Sequence, residues 1–363
     1  MKDSVLIIGG GPAGLALAIV LSRTGLDVWV TELSNYTQLR IGEHLPPSGV
    51  QALNMLVPNN LLFNENHLNS SGVDAYWGHL APNRMDYLFH PIGVGVNLSR
   101  PAFDRDLALG CREAGANIVL STVLLSAEWK RTYWLATLKS LSGIIDLHPK
   151  LIVDATGRCA RFARIQGANV KADDQQFAVI NMRTNRNEFA DGGRVLIEAT
   201  ENGWWYRAPL ASDRSVTMYM TDADMLPRGG KATLHAWWIN QLHKTNYVGA
   251  NTTNCVSGRG LVVRCARSQR LSYASGNGWL AVGDAAIALD PLASRGISKG
   301  LEEAWHSADI VLRYLSGSAN VLHEYADKVI QSYSEYKKLR HSYYLTETRW
   351  PIAKFWRRRQ YQT

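Results

Sequence analysis

The chain is poor in cysteine, in long apolar runs and in charge of one sign. Cys111, Cys159, Cys255 and Cys265 are the only cysteines in 363 residues, and they are scattered. No Cys-x-x-Cys pair and no metal-ligand spacing occurs, so neither a disulfide framework, a zinc site nor dithiol chemistry is implied. The expectation is reduced thiols in a cytoplasmic protein without a metal. No unbroken apolar stretch reaches the length of a membrane span, and no basic-apolar-small leader opens the chain. The formal net charge is +8. That favours an acidic partner, but no basic run alternates with aromatics as a nucleic-acid groove requires. Repeats and low-complexity segments are also missing. The length allows one large domain or two modest ones.

What is present begins with "VLIIGGGPAGLALAIVLSRTGLDVWVTE". Val5 to Ile8 reads as a central parallel strand. Gly9, Gly11 and Gly14 then give Gly-x-Gly-x-x-Gly at the turn into a helix. The first glycine permits the turn, the second admits a pyrophosphate and the third lets helix and sheet pack closely. The helix N-terminus faces that phosphate with free N–H groups and a positive dipole end. Glu32 ends the second strand, where a carboxylate accepts from both ribose hydroxyls and disfavours a 2′-phosphate. This motif alone serves NAD and FAD equally.

A second element, "WLAVGDAAIALDPLASRGISKGLEEA" (279–304), separates them. It reads as a strand, a Gly283-Asp284 turn, a loop through Pro291, and a helix from about Gly296 and Ile297. Asp284 is placed to accept from a ribityl hydroxyl. The helix start is placed to face the N1–C2=O edge of a flavin, which is anionic when reduced. Two glycine elements then hold the two halves of one extended, non-covalent FAD.

With these segments the chain resembles the FAD-dependent aromatic monooxygenases, a superfamily that includes tryptophan halogenases and geranylgeranyl reductases. "RIGEHLPPSG" (40–49) resembles the halogenase segment beside the flavin, and the likeness gives Arg40 the pyrophosphate. "VNLSRPAFDRDLALGCREAGANI" (96–118) resembles the family's arginine-bearing helix start, which makes Arg100 an FAD contact. "LIVDATGRCARFAR" (151–164) resembles its Asp-x-x-Gly turn. "GWWYRAP" (203–209) matches the halogenase Trp-x-Trp-x-Ile-Pro strand only at Trp204 and Pro209. Among smaller members, the chain is most similar to the flavoproteins that accompany quinoprotein amino-acid oxidases carrying cysteine tryptophylquinone.

The resemblance implies an α/β fold: a Rossmann-type FAD domain of the aromatic hydroxylase type (1–165 plus 262–315), a mixed-sheet substrate domain (166–261) and C-terminal helices (316–363). It implies a monooxygenase in which reduced flavin and dioxygen oxidise an electron-rich ring, with an external electron donor. The group's role implies a tryptophan of a precursor amino-acid oxidase as substrate. A small-molecule hydroxylase and a non-oxygenating assembly partner stay open as alternatives. Halogenation is disfavoured: no lysine stands between Lys2 and Lys130 to supply the tunnel, and Ser294-Arg295-Gly296 replaces the halide loop's Ser-Thr-Gly. Three residues are candidates for the pocket. His44 is a proton carrier or a hydrogen-bonded structural histidine. Tyr206 is a pocket wall or core. Arg295 is a flavin or substrate contact or a solvent-facing cation. The ending "FWRRRQ" (355–360) is a solvated helix end or a docking site for an acidic partner.

Overall fold

The computed structural model describes residues 4–38, 40–57, 64–184, 192–211, 214–250, 260–318 and 320–361. Cys255 lies outside them. The apolar run Ser4–Ile8 is the centre of a six-stranded sheet. Asp27–Thr31 and Asn117–Val119 extend it on one side, Leu151–Asp154 and Trp279–Ala281 on the other, all parallel. Ser275–Gly276 closes that second side as an antiparallel edge. In this register Ile8 stands beside Thr31 and Asp154, and Asp154 beside Ala281. Four strands drawn from the first, second and last parts of the chain therefore end at one level. A doubly wound sheet binds its ligands at this end.

The helix Pro12–Ser22 is apolar almost all round, which suits an element covered on several sides. It packs against the strand Asp27–Thr31 and against the helices Arg100–Glu113, Gly296–Glu302 and Ala304–Leu315. A three-stranded meander (Val123–Trp129, Trp134–Ser140, Gly143–Leu147) adds Trp134, which packs edge-on against Phe162.

The mixed sheet has seven strands, in the order Val262–Cys265, Gln176–Thr184, Arg214–Asp222, Gly203–Leu210, Val195–Thr200, Gly72–Tyr76 and Asn83–Asp86. It draws on more than residues 166–261, because two strands come from 72–86 and one from 262–265. Side chains alternate across it. Trp204, Tyr206, Met218 and Met220 fall on one face with Trp77, Tyr344 and Trp356. Trp205 and Tyr219 fall on the other, beneath Trp238 and Leu242 of the helix Lys231–Leu242. Both faces are covered, so every residue of Gly203–Leu210 is buried.

The chain ends in a long helix, Val321–Leu345, a break containing Pro351, and a short helix, Lys354–Gln360. The ending is neither a solvated helix end nor an open docking patch. Phe355 and Trp356 are fully buried in the chain's own core, and Arg359 is 4% exposed. Arg359 pairs with Asp222 at 2.7 Å. Arg358 bridges Asp222 and Asp224. Composition marks Trp, Phe and Arg as interface-prone, but it does not say whether the cover is a partner or the same chain. Among the described residues no helix is long and apolar enough to cross a membrane.

Candidate flavin site

At the common end of the parallel strands the first glycine turn takes its shape from backbone crowding. Gly9 has φ +114°, and a Cβ there would lie 2.3 Å from the Ala155 carbonyl oxygen. Gly14 faces Gly9 and Ala155 just as closely, so it is a packing glycine and not part of the cleft wall. A Cβ on Gly11 would meet no atom within 4 Å. Gly11 therefore fronts open space at the start of the helix Pro12–Ser22, which has no side-chain cap. Its first free N–H groups await an acceptor.

Glu32 is buried beside this turn and accepts from the Gly10 N–H at 3.0 Å, the Ser34 N–H at 2.8 Å and the Ser34 hydroxyl at 2.7 Å. Arg40 joins it and also reaches Asp104 at 3.0 Å. Arg100 pairs with Asp104 at 3.1 Å and donates to the Ile41 carbonyl. Two arginines and two carboxylates thus form a chain along one wall.

Across the turn, Gly283 adopts φ +58°, and a Cβ there would crowd Ala13 at 2.6 Å. The second glycine element is therefore packed directly against the first. Asp284 lies 3.5 Å from Arg158, whose guanidinium also donates to the Arg267 and Leu289 carbonyls. The loop that follows is anchored at Asp290. Its carboxylate accepts from the Leu292 N–H, Arg340 and the Tyr344 hydroxyl. The helix Gly296–Glu302 then begins without a side-chain cap.

These elements enclose one cleft of about 900 Å³, within the range of cofactor sites. Gly9, Gly11, Glu32, Arg40, His44, Arg100, Tyr206, Gly283, Asp284, Pro291, Arg295, Gly296 and Ile297 all line it. Its far wall is one face of the mixed sheet: Ala178, Ile180, Tyr206, Met218 and Met220. Among the described residues no cluster of His, Cys, Asp and Glu has metal-binding geometry.

A family model described as an FAD binding domain matches residues 2–337. The chain belongs to that family. It is an FAD-dependent oxidoreductase. It is 30% identical over 98% of its length to LodB of Marinomonas mediterranea, named as an FAD-dependent oxidoreductase, and covers 96% of that protein. Its fold matches the flavin-dependent halogenase CmlS with a TM-score of 0.90 at 22% identity, over 100% of this chain and 68% of that one. It also matches QhpG, described as a peptidyl tryptophan dihydroxylase essential for tryptophylquinone cofactor biogenesis. There the TM-score is 0.81 at 21% identity, over 100% of this chain and 80% of that one. FAD is thus the cofactor of the family, and the open glycines, the uncapped helix starts and the paired arginines fit its two phosphates and ring.

The electrostatics of this FAD cleft separate the pocket candidates. His44 is buried, with Nδ1 2.9 Å from Asn97 Oδ1 and Nε2 3.2 Å from the Tyr87 hydroxyl. The Asn97 amide nitrogen donates to the Gly193 carbonyl, so its oxygen faces His44, and Nδ1 carries the proton. Burial lowers the imidazole pKa to about 4. His44 is therefore a neutral, hydrogen-bonded ring on the cleft wall. Burial and the nearby Glu43 keep Tyr206 protonated by pushing its pKa well upward. Arg295 lines the cleft, 53% exposed and paired with Glu302 at 2.9 Å.

Two residues escaped the sequence reading. Arg158 is one position past the Asp-x-x-Gly turn, yet it ties three loops together at Asp284. Glu43 sits beside His44, 2% exposed, with no side-chain partner for either carboxylate oxygen among the described residues. Burial raises its pKa to about 7 despite the opposing charge of Arg100. Nothing in the letters "GEH" distinguishes such a carboxyl from an exposed one.

Proposed function

We propose that this flavoenzyme is a monooxygenase that hydroxylates an electron-rich aromatic ring, and that the ring is a tryptophan side chain of a precursor amino-acid oxidase. The observation that carries the reading is the continuity of the cleft. One end is built for phosphates and the other is an apolar sheet face. A cofactor held along the first reaches a flat hydrophobic wall suited to an indole. In this reading the adenosine ribose lies at Glu32, and Arg40 and Arg100 face the pyrophosphate. Asp284 takes a ribityl hydroxyl, and the helix start at Gly296 and Ile297 faces the ring edge. Bound FAD, once reduced by an external donor, supplies dioxygen chemistry to that ring. The chain's residues do the rest. Ile180, Met218, Met220 and Tyr206 orient the aromatic substrate and exclude water. The likeness to the fold of QhpG, a peptidyl tryptophan dihydroxylase, supports a tryptophan within a protein. The missing lysine over 3–129 weighs against halogenation.

The test is to incubate chemically reduced, FAD-loaded enzyme with the precursor oxidase under heavy-isotope dioxygen and to map the precursor by mass spectrometry. Heavy oxygen on one tryptophan is expected. Rapid turnover of a free indole or phenol would replace this reading by a small-molecule hydroxylase. A stable complex without oxygen transfer would replace it by an assembly partner.

A further inference from the structure

Glu43 is a buried carboxyl with no side-chain hydrogen bond or ion pair among the described residues. Its burial is opposed only by the backbone N–H groups of Gly42 and Glu43 and the charge of Arg100, a costly arrangement for a group that does nothing. Its position is specific. The preceding residue, Gly42, lies beside Ile297 at the start of the helix Gly296–Glu302: a Cβ on Gly42 would stand 3.7 Å from the Ile297 Cδ1. The following residue, His44, pairs in register with Asn97. Tyr206 approaches from the mixed sheet. Glu43 therefore sits where the Arg100 end of the charged wall meets the second glycine element and the apolar wall. The groups that face it are few. Arg100 acts on it from the helix Arg100–Glu113, but its guanidinium is already held by Asp104 and the Ile41 carbonyl. Tyr206 and Tyr87 are protonated phenols whose pKa values burial raises. His44 is a neutral imidazole, and the helix Gly296–Glu302 presents Ile297. Arg100 and the backbone N–H groups of Gly42 and Glu43 oppose the effect of burial without overcoming it, so a charge arriving nearby shifts the balance.

We propose that Glu43 is a redox-linked proton acceptor: when FAD in this cleft is reduced, the Glu43 carboxylate takes up a proton and offsets the negative charge that arrives beside it. For each two electrons delivered to the flavin, Glu43 gains one proton from solvent, and no other bond at Glu43 changes. On reoxidation it releases that proton. Burial holds its pKa at about 7, and an anion placed nearby raises it further, because like charge disfavours ionisation. Uptake therefore occurs in a window that opens at about pH 7 and extends upward. Below that window Glu43 already holds its proton in both states. The inference rests on FAD occupying the cleft and not on which aromatic ring is oxidised, so the two fail separately.

The experiment is a spectroelectrochemical titration of FAD-loaded wild type and Glu43→Gln between pH 6 and 9. Above pH 7 the wild type should show a midpoint potential that falls more steeply than that of the variant. The excess is one proton per two electrons, or about 30 mV per pH unit. Equal slopes in the two proteins would overturn the proposal. Should Glu43→Gln lose its FAD, redox difference infrared spectra of wild type at pH 8 decide the matter alone. Reduction must create a protonated carboxyl band, and a spectrum without one refutes the proposal.

Discussion

Removing either partner of the Arg359–Asp222 pair should not cost the same. Both side chains are almost fully buried. Arg359 donates two bonds to Asp222, one to the Phe355 carbonyl and one to Gln176, and lies over the Phe355 ring. Asp222 has a second cation, Arg358 at 2.9 Å, which is partly exposed. Asp222→Ala therefore strands a buried guanidinium, a loss of about 3–5 kcal/mol. Arg359→Met leaves Asp222 paired with Arg358 and replaces the stem with apolar bulk, so it should cost much less. The entropy of unfolding for 363 residues is about 0.8 kcal/mol/K. The first variant should then melt about 4–7 °C below wild type, and the second about 1–2 °C below. Calorimetry of FAD-loaded proteins reads both, and the double variant should resemble Arg359→Met more than the sum of the two. Equal losses from the two single variants would refute the asymmetry. So would a loss below 1 °C for Asp222→Ala, and the final helix would then not be anchored by buried charge.

Glu43→Gln should change how stability depends on pH. The carboxyl ionises at its ordinary 4.5 when unfolded and at about 7 when folded. Wild type therefore loses about 3 kcal/mol as pH rises across that window, while the amide does not. Unfolding curves at pH 5 and 8 should diverge by most of that amount, and parallel curves would place the folded value near the ordinary one. Asp284→Ala should weaken FAD retention roughly ten- to a hundredfold, the worth of one charged hydrogen bond, in a dialysis titration. Gly11→Val should abolish retention by filling open space at the helix start, and full flavin content in both variants would misplace the cofactor. Heat-denatured protein should release all its yellow colour as FAD into the supernatant; colour left on the precipitate would mean a covalent link.

What the sequence made legible was whatever backbone geometry demands. Gly9, Gly14 and Gly283 sit where a side chain cannot, so strand, turn and helix could be read from their spacing alone. Glu32 and Asp284 were readable as candidates through their place at those turns, whereas Arg40 and Arg100 came from the family resemblance. The mixed sheet was visible strand by strand, but its strands at 72–76 and 83–86 lie too far along the chain for local pattern to assign them. Glu43 was unreadable for a different reason. Its character comes from missing partners, and those depend on which distant elements close over it. The tail was misread because burial by one's own chain leaves the same residue types as burial by a partner.

The anchoring of Asp290 by Tyr336, Arg340 and Tyr344 has a consequence for biosynthesis. A ribosome makes the first glycine turn, at Gly9 to Gly14, long before the loop at Asp290. The residues that hold that loop arrive some fifty positions later, and Arg359 and Trp356 only at the end. A nascent chain thus carries a half-built cleft through almost its whole synthesis. The loop at Asp290 therefore gains its full set of partners only after the helix Val321–Leu345 has been made.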